Sequence, residues 1–423
     1  LALGIDVGTS GVRAALLGAE GVAGFAKAAM ADHGGDLRDP AVWARALDAA
    51  LAGLDPGLKA EVGALAVDAT SGTVLALDED EAPIGQALLY NDAVDDPAIP
   101  ATIAAVAPRE SAAHGAASGL ARAIALAARP GARRILHQAD WIVSLMTGER
   151  GTTDESNALK TGYDPVARRW PEWLDALPID RAMLPRVVAA GAPMARVSAA
   201  AAARHGLPEG AVAVGGMTDG CASFMATGAG APGDGVTALG TTLTVKLLSD
   251  RPVFAPEYGI YSHRIGDLWL AGGASNTGGG ALAAHFAPEA IARLSATIDP
   301  AHPTGLDYYP LPRPGERFPI ADPDLAPRTE PRPADDATFL QGLLEGIAGI
   351  EALAYRRLGE LGAPPLARLR TVGGGAQNAA WTAIRARATG ATMAGAASEE
   401  AAVGVARLAR AHLDRAHFDR AGT

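Results

Sequence analysis

Two aspartates stand beside turns of small residues, and there the sequence offers chemistry. Asp219 sits in Gly215-Gly216-Met217-Thr218-Asp219-Gly220, between an apolar run at 211–214 and a helical pattern carrying Phe224 and Met225. The spacing predicts a helix starting at or near Asp219, where the amide dipoles favour an ionised carboxylate. The glycines ahead of it let a substrate or another backbone come close. An Asp at a helix start also serves as a plain cap, and spacing alone leaves both uses open. Asp6 sits in Gly4-Ile5-Asp6-Val7-Gly8-Thr9-Ser10, near the end of an apolar run. A carboxylate there is costly unless something coordinates or hydrogen-bonds it. Beside amides that can point at phosphate it could hold Mg²⁺, directly or through water; the alternative is a turn satisfied by its own backbone.

The same turn design returns as Gly240-Thr241-Thr242, with Ala238 where the first copy has Asp6. If both turns wall a phosphate site, only the first carries a metal carboxylate, and Thr241 and Thr242 supply N–H and O–H donors. Two more glycine clusters follow apolar runs: Gly272-Gly273-Ala274-Ser275-Asn276-Thr277-Gly278-Gly279-Gly280, and Gly373-Gly374-Gly375-Ala376-Gln377-Asn378 ahead of Trp381. Strand, glycine loop and helix in that order present amides to an anion or let a flat base approach. Trp381 could face an adenine, although helix packing is the commoner use of Trp at that spacing. Cys221 is the single cysteine, on a helical pattern with no His near it in sequence, and reads as a small buried hydrophobe. Gly228-Ala229-Gly230-Ala231-Pro232-Gly233 matches a dinucleotide fingerprint in letters but follows a helix instead of a strand. No P-loop motif and no Cys/His cluster for zinc occurs.

These residues need elements to hold them. Leu1, Leu3, Ile5 and Val7 alternate with smaller residues, the period of a half-buried strand, and residues 12–17 read as the strand returning from the Gly8-Thr9-Ser10-Gly11 turn. Residues 236–239 and 243–248 repeat that hairpin in the second half. Between and after the hairpins, strand-like stretches at 63–67, 74–77, 211–214, 268–271 and 369–372 alternate with helical ones at 40–52, 116–128, 339–361 and from Asn378. Alternation of this kind implies α/β layers, here two related domains facing each other across a cleft. The Gly-rich segment 228–235 is the expected junction, and the Pro-rich stretch 309–333 an ordered surface excursion.

A chain of 423 residues exceeds what one core normally organises, which supports two domains. The net charge of −11 argues against a nucleic-acid partner, whose affinity comes mainly from Lys and Arg. One cysteine excludes an intrachain disulfide, and no apolar run approaches the roughly 20 residues that span a bilayer. The cytoplasm is the default expectation, with a trimmed targeting peptide ahead of Leu1 left open.

Taken together, the motifs resemble a family. Asp6-Val7-Gly8-Thr9-Ser10 is similar to the first phosphate motif of the FGGY carbohydrate kinases. Gly216 with Asp219, then Gly228 and Gly240-Thr241-Thr242, resembles its catalytic and second phosphate region. Gly373-Gly374-Gly375-Ala376-Gln377-Asn378 with Trp381 resembles its adenosine motif, and Glu399-Glu400-Ala401-Ala402 the helix that follows. Order and spacing hold from residue 1 to about residue 410.

The resemblance implies an α/β chain of two ribonuclease-H-like domains of the actin/hexokinase superfamily. Residues 1–229 would carry sugar and catalytic Asp, and 230–423 would carry ATP. It implies Asp219 as the base, Asp6 and Asp219 near Mg²⁺, and a nucleotide site drawn from Asp6, Thr9, Ser10, Gly240, Thr241, Thr242, Gly279, Gly374, Gly375, Asn378 and Trp381. Leu89-Tyr90-Asn91-Asp92 resembles a Trp-Asn-Asp segment of the family, with Ala93-Val94 where Gly-Arg is common. The Ser71-Gly72 loop, His137 to Trp141, Asp154 to Lys160 and Tyr258 to His263 look like the compact cyanobacterial and plant D-ribulokinase branch. Ser71, Asp92 and Asp219 would then contact the sugar, in a monomer or homodimer whose partners are sugar and ATP. The competing readings are D-xylulokinase or another polyol kinase, a non-kinase ATPase of the same superfamily, and a catalytically silent binding protein.

Overall fold

The computed structural model describes residues 1–421, which form two compact units. The first holds Leu1–Ala226, His263–Gly266 and the segment from Glu400 onward; the second holds Thr227–Ser262 and Asp267–Glu399. The chain leaves the first unit at Thr227, next to the Gly-rich segment expected to be the junction. The division is not the linear 1–229 and 230–423, because the last helix returns to the first sheet.

The first unit is built on a seven-stranded sheet. Its strands are β1 (Ala2–Val7), β2 (Gly11–Leu17), β3 (Val22–Ala29), β4 (Ala64–Ala69), β5 (Pro193–Arg196), β6 (Val212–Val214) and the short β7 (Met217–Thr218). The order is β3-β2-β1-β4-β6-β5, with β7 beside β4. β2 runs antiparallel to both β1 and β3, while β4 runs parallel to β1, β6 and β7. Every residue of β1 is buried, where the alternating pattern suggested a half-exposed strand. The reason is position: β1 is central, and helices cover both faces.

Leu3, Ile5 and Val7 join one core with Trp43, Leu47 and Leu51 of helix α1 (Pro40–Ala52), where each fully buried Leu is worth about 2 kcal/mol. Pro40 opens α1 and the Asp39 carboxylate caps it by accepting the Ala41 N–H. Gly4 and Asp6 point to the opposite face. There helix α7 (Ala401–Ala421) lies so close that a Cβ on Gly4 would stand 1.9 Å from the Ala402 carbonyl oxygen. α7 also crosses helix α3 (Asp219–Ala226), and a Cβ on Gly404 would stand 1.8 Å from the Ala222 carbonyl. The last helix therefore holds the element that begins at Asp219. Helix α2 (Gly119–Ala127) packs in a separate core with residues 74 and 76.

The second unit repeats the pattern. β8 (Asp234–Leu239), β9 (Leu243–Ser249), β10 (Leu268–Ser275), β11 (Arg368–Val372) and β12 (Thr392–Ala394) lie in the order β10-β9-β8-β11-β12, the counterpart of β3-β2-β1-β4-β6. Here too the middle strand of the hairpin pair, β9, runs antiparallel to both its neighbours β8 and β10, while β11 runs parallel to β8 and β12. Three helices matter below: α4 (Gly279–Ala283), α5 (Asp336–Glu360) and α6 (Ala379–Thr389). α5 is long and apolar enough to span a bilayer by length and composition, and it is the buried core helix of this unit. A fully buried Arg385–Glu351 pair, both contacts 2.6 Å, ties α6 to α5. Arg385 Nη1 also donates to Thr371 Oγ1 at 2.7 Å, which fixes β11 just before the Gly373 turn. The Pro-rich stretch is ordered as expected, but it is anchored through the core: Phe318 is fully buried against Gly273.

Candidate active site

Parallel register gathers the carboxylates of the first unit. Asp6 of β1 pairs with Asp68 of β4, and on the other side of β4 Met217 and Thr218 of β7 pair with Asp68 and Ala69. Asp219 follows at once as the first residue of α3, as the sequence predicted. Three carboxylates therefore stand at the carboxyl ends of parallel strands, near enough for their charges to act on one another, where open α/β sheets place their ligands.

Their charges disturb one another. Asp68 is fully buried, and among the described residues no N–H or O–H reaches either of its oxygens; its only hydrogen-bonding neighbour is the Asp6 carboxyl. Burial raises Asp68 well above the usual carboxylate range, and the charges of Asp6 and then Asp219 push the same way. The neutral form of Asp68 is favoured accordingly, with the Asp6 carboxyl beside it. Burial also raises Asp6, against the pull of the Asp68 hydrogen bond and of Arg13, whose Nη1 donates to Asp6 Oδ2 at 3.0 Å. Arg13 lies opposite Asp6 on β2 and also donates to Ser10 Oγ at 3.3 Å. Thr9 and Ser10 are exposed at the tip of the turn. Gly220 N–H donates to Asp219 Oδ1 at 2.7 Å.

The donor set fits a hard divalent cation. The Asp6 and Asp219 carboxylates stand near enough for the charge of one to act on the other, and Mg²⁺ is usually held by one or two carboxylates with water and phosphate completing its shell. Among the described residues no three His, Cys, Asp or Glu side chains converge on one point, so a closed protein cage is absent from that set.

Beyond β4 the chain enters the Thr70-Ser71-Gly72-Thr73 turn. Thr70 Oγ1 bonds Thr73 Oγ1 and Gln138 Oε1, both at 2.7 Å, and Thr73 Oγ1 accepts the Tyr90 N–H at 3.0 Å. Ser71 Oγ is buried with no hydrogen-bond partner among the described residues, an orphan that a bound hydroxyl would satisfy. Asp92 is already engaged: Arg38 grips it in two places, Nε to Oδ2 at 3.1 Å and Nη2 to Oδ1 at 2.5 Å, and the Leu89 N–H adds a third bond. Burial works to raise Asp92, but these bonds and the Arg38 charge hold it below its ordinary value. Its carboxylate thereby shapes the 89–92 turn.

Ser156 supports the Asp219 segment from behind. Its Oγ accepts the Thr218 N–H at 3.2 Å and bonds His263 Nδ1 at 2.9 Å. Asp154 caps the short helix that carries Ser156, accepting the N–H groups of Ser156 and Asn157. Burial, aided by Asp140 and opposed by Asn157, raises Asp154 to about 6. A raised acid stabilises the fold fully below its unfolded pKa near 3.8, and that contribution is lost as pH rises through about 6. The loss amounts to about 3 kcal/mol. Asp154→Asn keeps a capping side chain without the charge, so urea midpoints at pH 4.5 and 7.5 should shift in the variant's favour at the higher pH. An equal difference at both pH values would contradict this.

In the second unit the glycine loops meet. Gly279 N–H donates to the Gly240 carbonyl at 2.8 Å and Gly280 N–H to Thr241 at 2.9 Å. Gly278, at φ +137°, leaves no room for a Cβ beside Thr242. Gly373, at φ +85°, lies against the Leu239 carbonyl, one residue before Gly240. The 240–242, 278–280 and 373–375 turns therefore share the carboxyl ends of parallel β8 and β11. Gly240, Thr241, Thr242 and Gly374 are exposed there, and Asn378 caps α6 by accepting the Trp381 N–H at 3.0 Å. Trp381 does not offer its ring to a ligand. It is 3 % exposed and packed in the core beneath Gly375, the place its spacing on α6 dictates.

Sequence reasoning missed Asp68, Arg13 and Arg38. Asp68 had a signal, since it ends an apolar run just as Asp6 does. The arginines had none, because each is recruited from a different element. Cys221 is a buried small residue beside Ser156 and Thr218, as read from its neighbours.

The C-terminal domain of the FGGY family of carbohydrate kinases matches residues 235–412, and the family's N-terminal domain matches residues 126–226. The two together span well over half of the chain. Among solved structures, a xyloylose kinase from Brucella ovis aligns with a TM-score of 0.81 at 24 % identity, over 98 % of this chain and 90 % of its own. A xylulose kinase from Rhodospirillum rubrum gives 0.81 at 23 %, over 97 % and 89 %. Plasmodium falciparum glycerol kinase, solved with ADP, gives 0.81 at 15 %, over 97 % and 89 %. At such identities these likenesses establish the fold. With both family domains matched in order, on two sheets of the same topology, the chain belongs to the FGGY family of carbohydrate kinases.

Proposed function

We propose that this chain is an ATP-dependent kinase of a pentulose, with D-ribulose the first candidate and D-ribulose 5-phosphate its product. The reading is carried by one juxtaposition: Asp219 follows Thr218, whose strand partner Ala69 lies two residues before the orphaned hydroxyl of Ser71. In this reading Ser71 orients the sugar and Asp219 takes the proton from the hydroxyl that attacks the γ-phosphorus. The new O–P bond forms as the bond to the β–γ bridging oxygen breaks, and ADP leaves with that electron pair. In the first unit Thr9 and Ser10 would offer donors to phosphate; in the second, Thr241, Thr242 and the glycine turns would do so, with Gly374, Gly375 and Asn378 toward the adenosine. Asp6 and Asp219 would hold Mg²⁺, which neutralises phosphate charge. Burial favours the neutral form of Asp68, which would limit the negative charge next to Asp6.

ADP release across D-ribulose, D-xylulose, L-ribulose, glycerol and ribitol tests the proposal. D-Ribulose should give the highest kcat/KM. A higher value for D-xylulose would move the assignment to that pentulose, and basal hydrolysis that no sugar stimulates would favour a non-kinase ATPase.

A further inference from the structure

We propose that Arg122 is a positioning residue for the sugar site, a buried guanidinium that clamps the 70–73 turn to the 89–92 turn through their backbone carbonyls. The proposal rests on the sugar-kinase reading only for what the two turns bind.

Arg122 stands on α2 and is 2 % exposed. Among the described residues no carboxylate pairs with it. Its Nε donates to Gly72 O at 3.0 Å, and its Nη1 to Tyr90 O at 3.0 Å, Asp92 O at 2.8 Å and Ala117 O at 2.9 Å. A buried cation with no directly paired carboxylate costs free energy that its hydrogen bonds, with some help from the nearby Asp92 charge, must offset. Burial accordingly lowers its pKa to about 10, with the charge of Asp92 opposing. Core packing alone would be served by an aliphatic side chain. A guanidinium is the group that can hold three separate chain segments by their carbonyls in one plane.

Gly72 is fitted to it. At φ +83° this residue is in the region that favours glycine, and a Cβ there would stand 2.8 Å from Arg122 Nη2. Ser71 is thus placed by a turn whose next residue is pinned to α2. Asp92 is held twice, by Arg38 on its carboxylate and by Arg122 on its carbonyl. Two cations thus reach the 89–92 turn, Arg38 from the segment before α1 and Arg122 from α2.

The test is Arg122→Lys, which keeps the charge but cannot span the carbonyls. Kinetics with the best sugar of the panel should show sugar KM raised about tenfold or more and ATP KM within about twofold. Hydrogen exchange without substrate should be at least about tenfold faster in peptides covering 70–74 and 88–93, with β4 unchanged. ATP KM rising as much as sugar KM, or unchanged exchange at either turn, overturns the clamp. If wild type shows no sugar-dependent turnover, the kinase reading fails while exchange still decides the clamp. Should the lysine variant not fold, Gly72→Ala presses on Nη2 with the charge in place. Exchange at 88–93 must then rise as well, and silence there overturns the proposal.

Discussion

Asp219→Asn should abolish sugar-dependent ADP release, lowering kcat by about three orders of magnitude, the scale of a lost general base. An amide keeps the shape of the carboxylate and can still accept the Gly220 N–H, so α3 keeps its start. It cannot take a proton. ATP KM should stay within a few-fold of wild type, because the glycine turns at the ends of β8 and β11 are untouched. The fold should not weaken, since removing this charge relieves a repulsion that now raises both Asp6 and Asp68. A low kcat with an unchanged or higher unfolding midpoint is therefore the expected pair of results. A kcat within tenfold of wild type would remove Asp219 from proton transfer, and a collapsed midpoint would show that the residue serves the helix start instead.

The split between what was legible and what was not follows from sequence distance. Asp6, Asp219 and the four glycine turns were readable because each is a local pattern, a polar or flexible residue breaking an apolar run. The repeat of hairpin designs at Gly8 and Gly240 foretold two related domains, and five strands of each sheet follow the same order. Contacts set by long-range pairing could not be read. Asp68 becomes a neighbour of Asp6 only because β4 runs parallel to β1 in that register. Arg38 is 54 residues from Asp92, and Arg122 is 50 from Gly72. Trp381 shows the opposite failure. A functional reading attached itself to a motif position whose burial is fixed by the period of α6. The return of α7 to the first unit was hidden for the same reason as Asp68. Gly4 and Gly404 announce close approach without naming the partner, the Ala402 carbonyl in one case and the Ala222 carbonyl in the other.

Gly216→Ala should be the most destabilising single methyl in the first unit's site. Residue 216 is not in the left-handed region, so alanine meets no backbone strain there, and the effect isolates packing. A Cβ would stand 1.8 Å from the Val67 carbonyl oxygen and 2.9 Å from the Val67 carbonyl carbon. Both atoms belong to the central strand β4, one residue before Asp68, and neither is a side chain that can rotate away. Separating them to ordinary contact needs more than an ångström of backbone movement, in a core where an overpacked methylene typically costs 1–3 kcal/mol through smaller shifts. A loss of about 4 kcal/mol or more is expected, read as a lowered urea midpoint or as failure to recover soluble protein. Gly349→Ala is the control of opposite sign. That glycine lies on the exposed side of α5, with nothing among the described residues within 4 Å of its added Cβ, and helix propensity predicts a gain of about 1 kcal/mol. If Gly216→Ala unfolds at the wild-type midpoint, β4 and β7 are not in backbone contact as described. The register that sets Asp219 beside Asp68 would then be wrong.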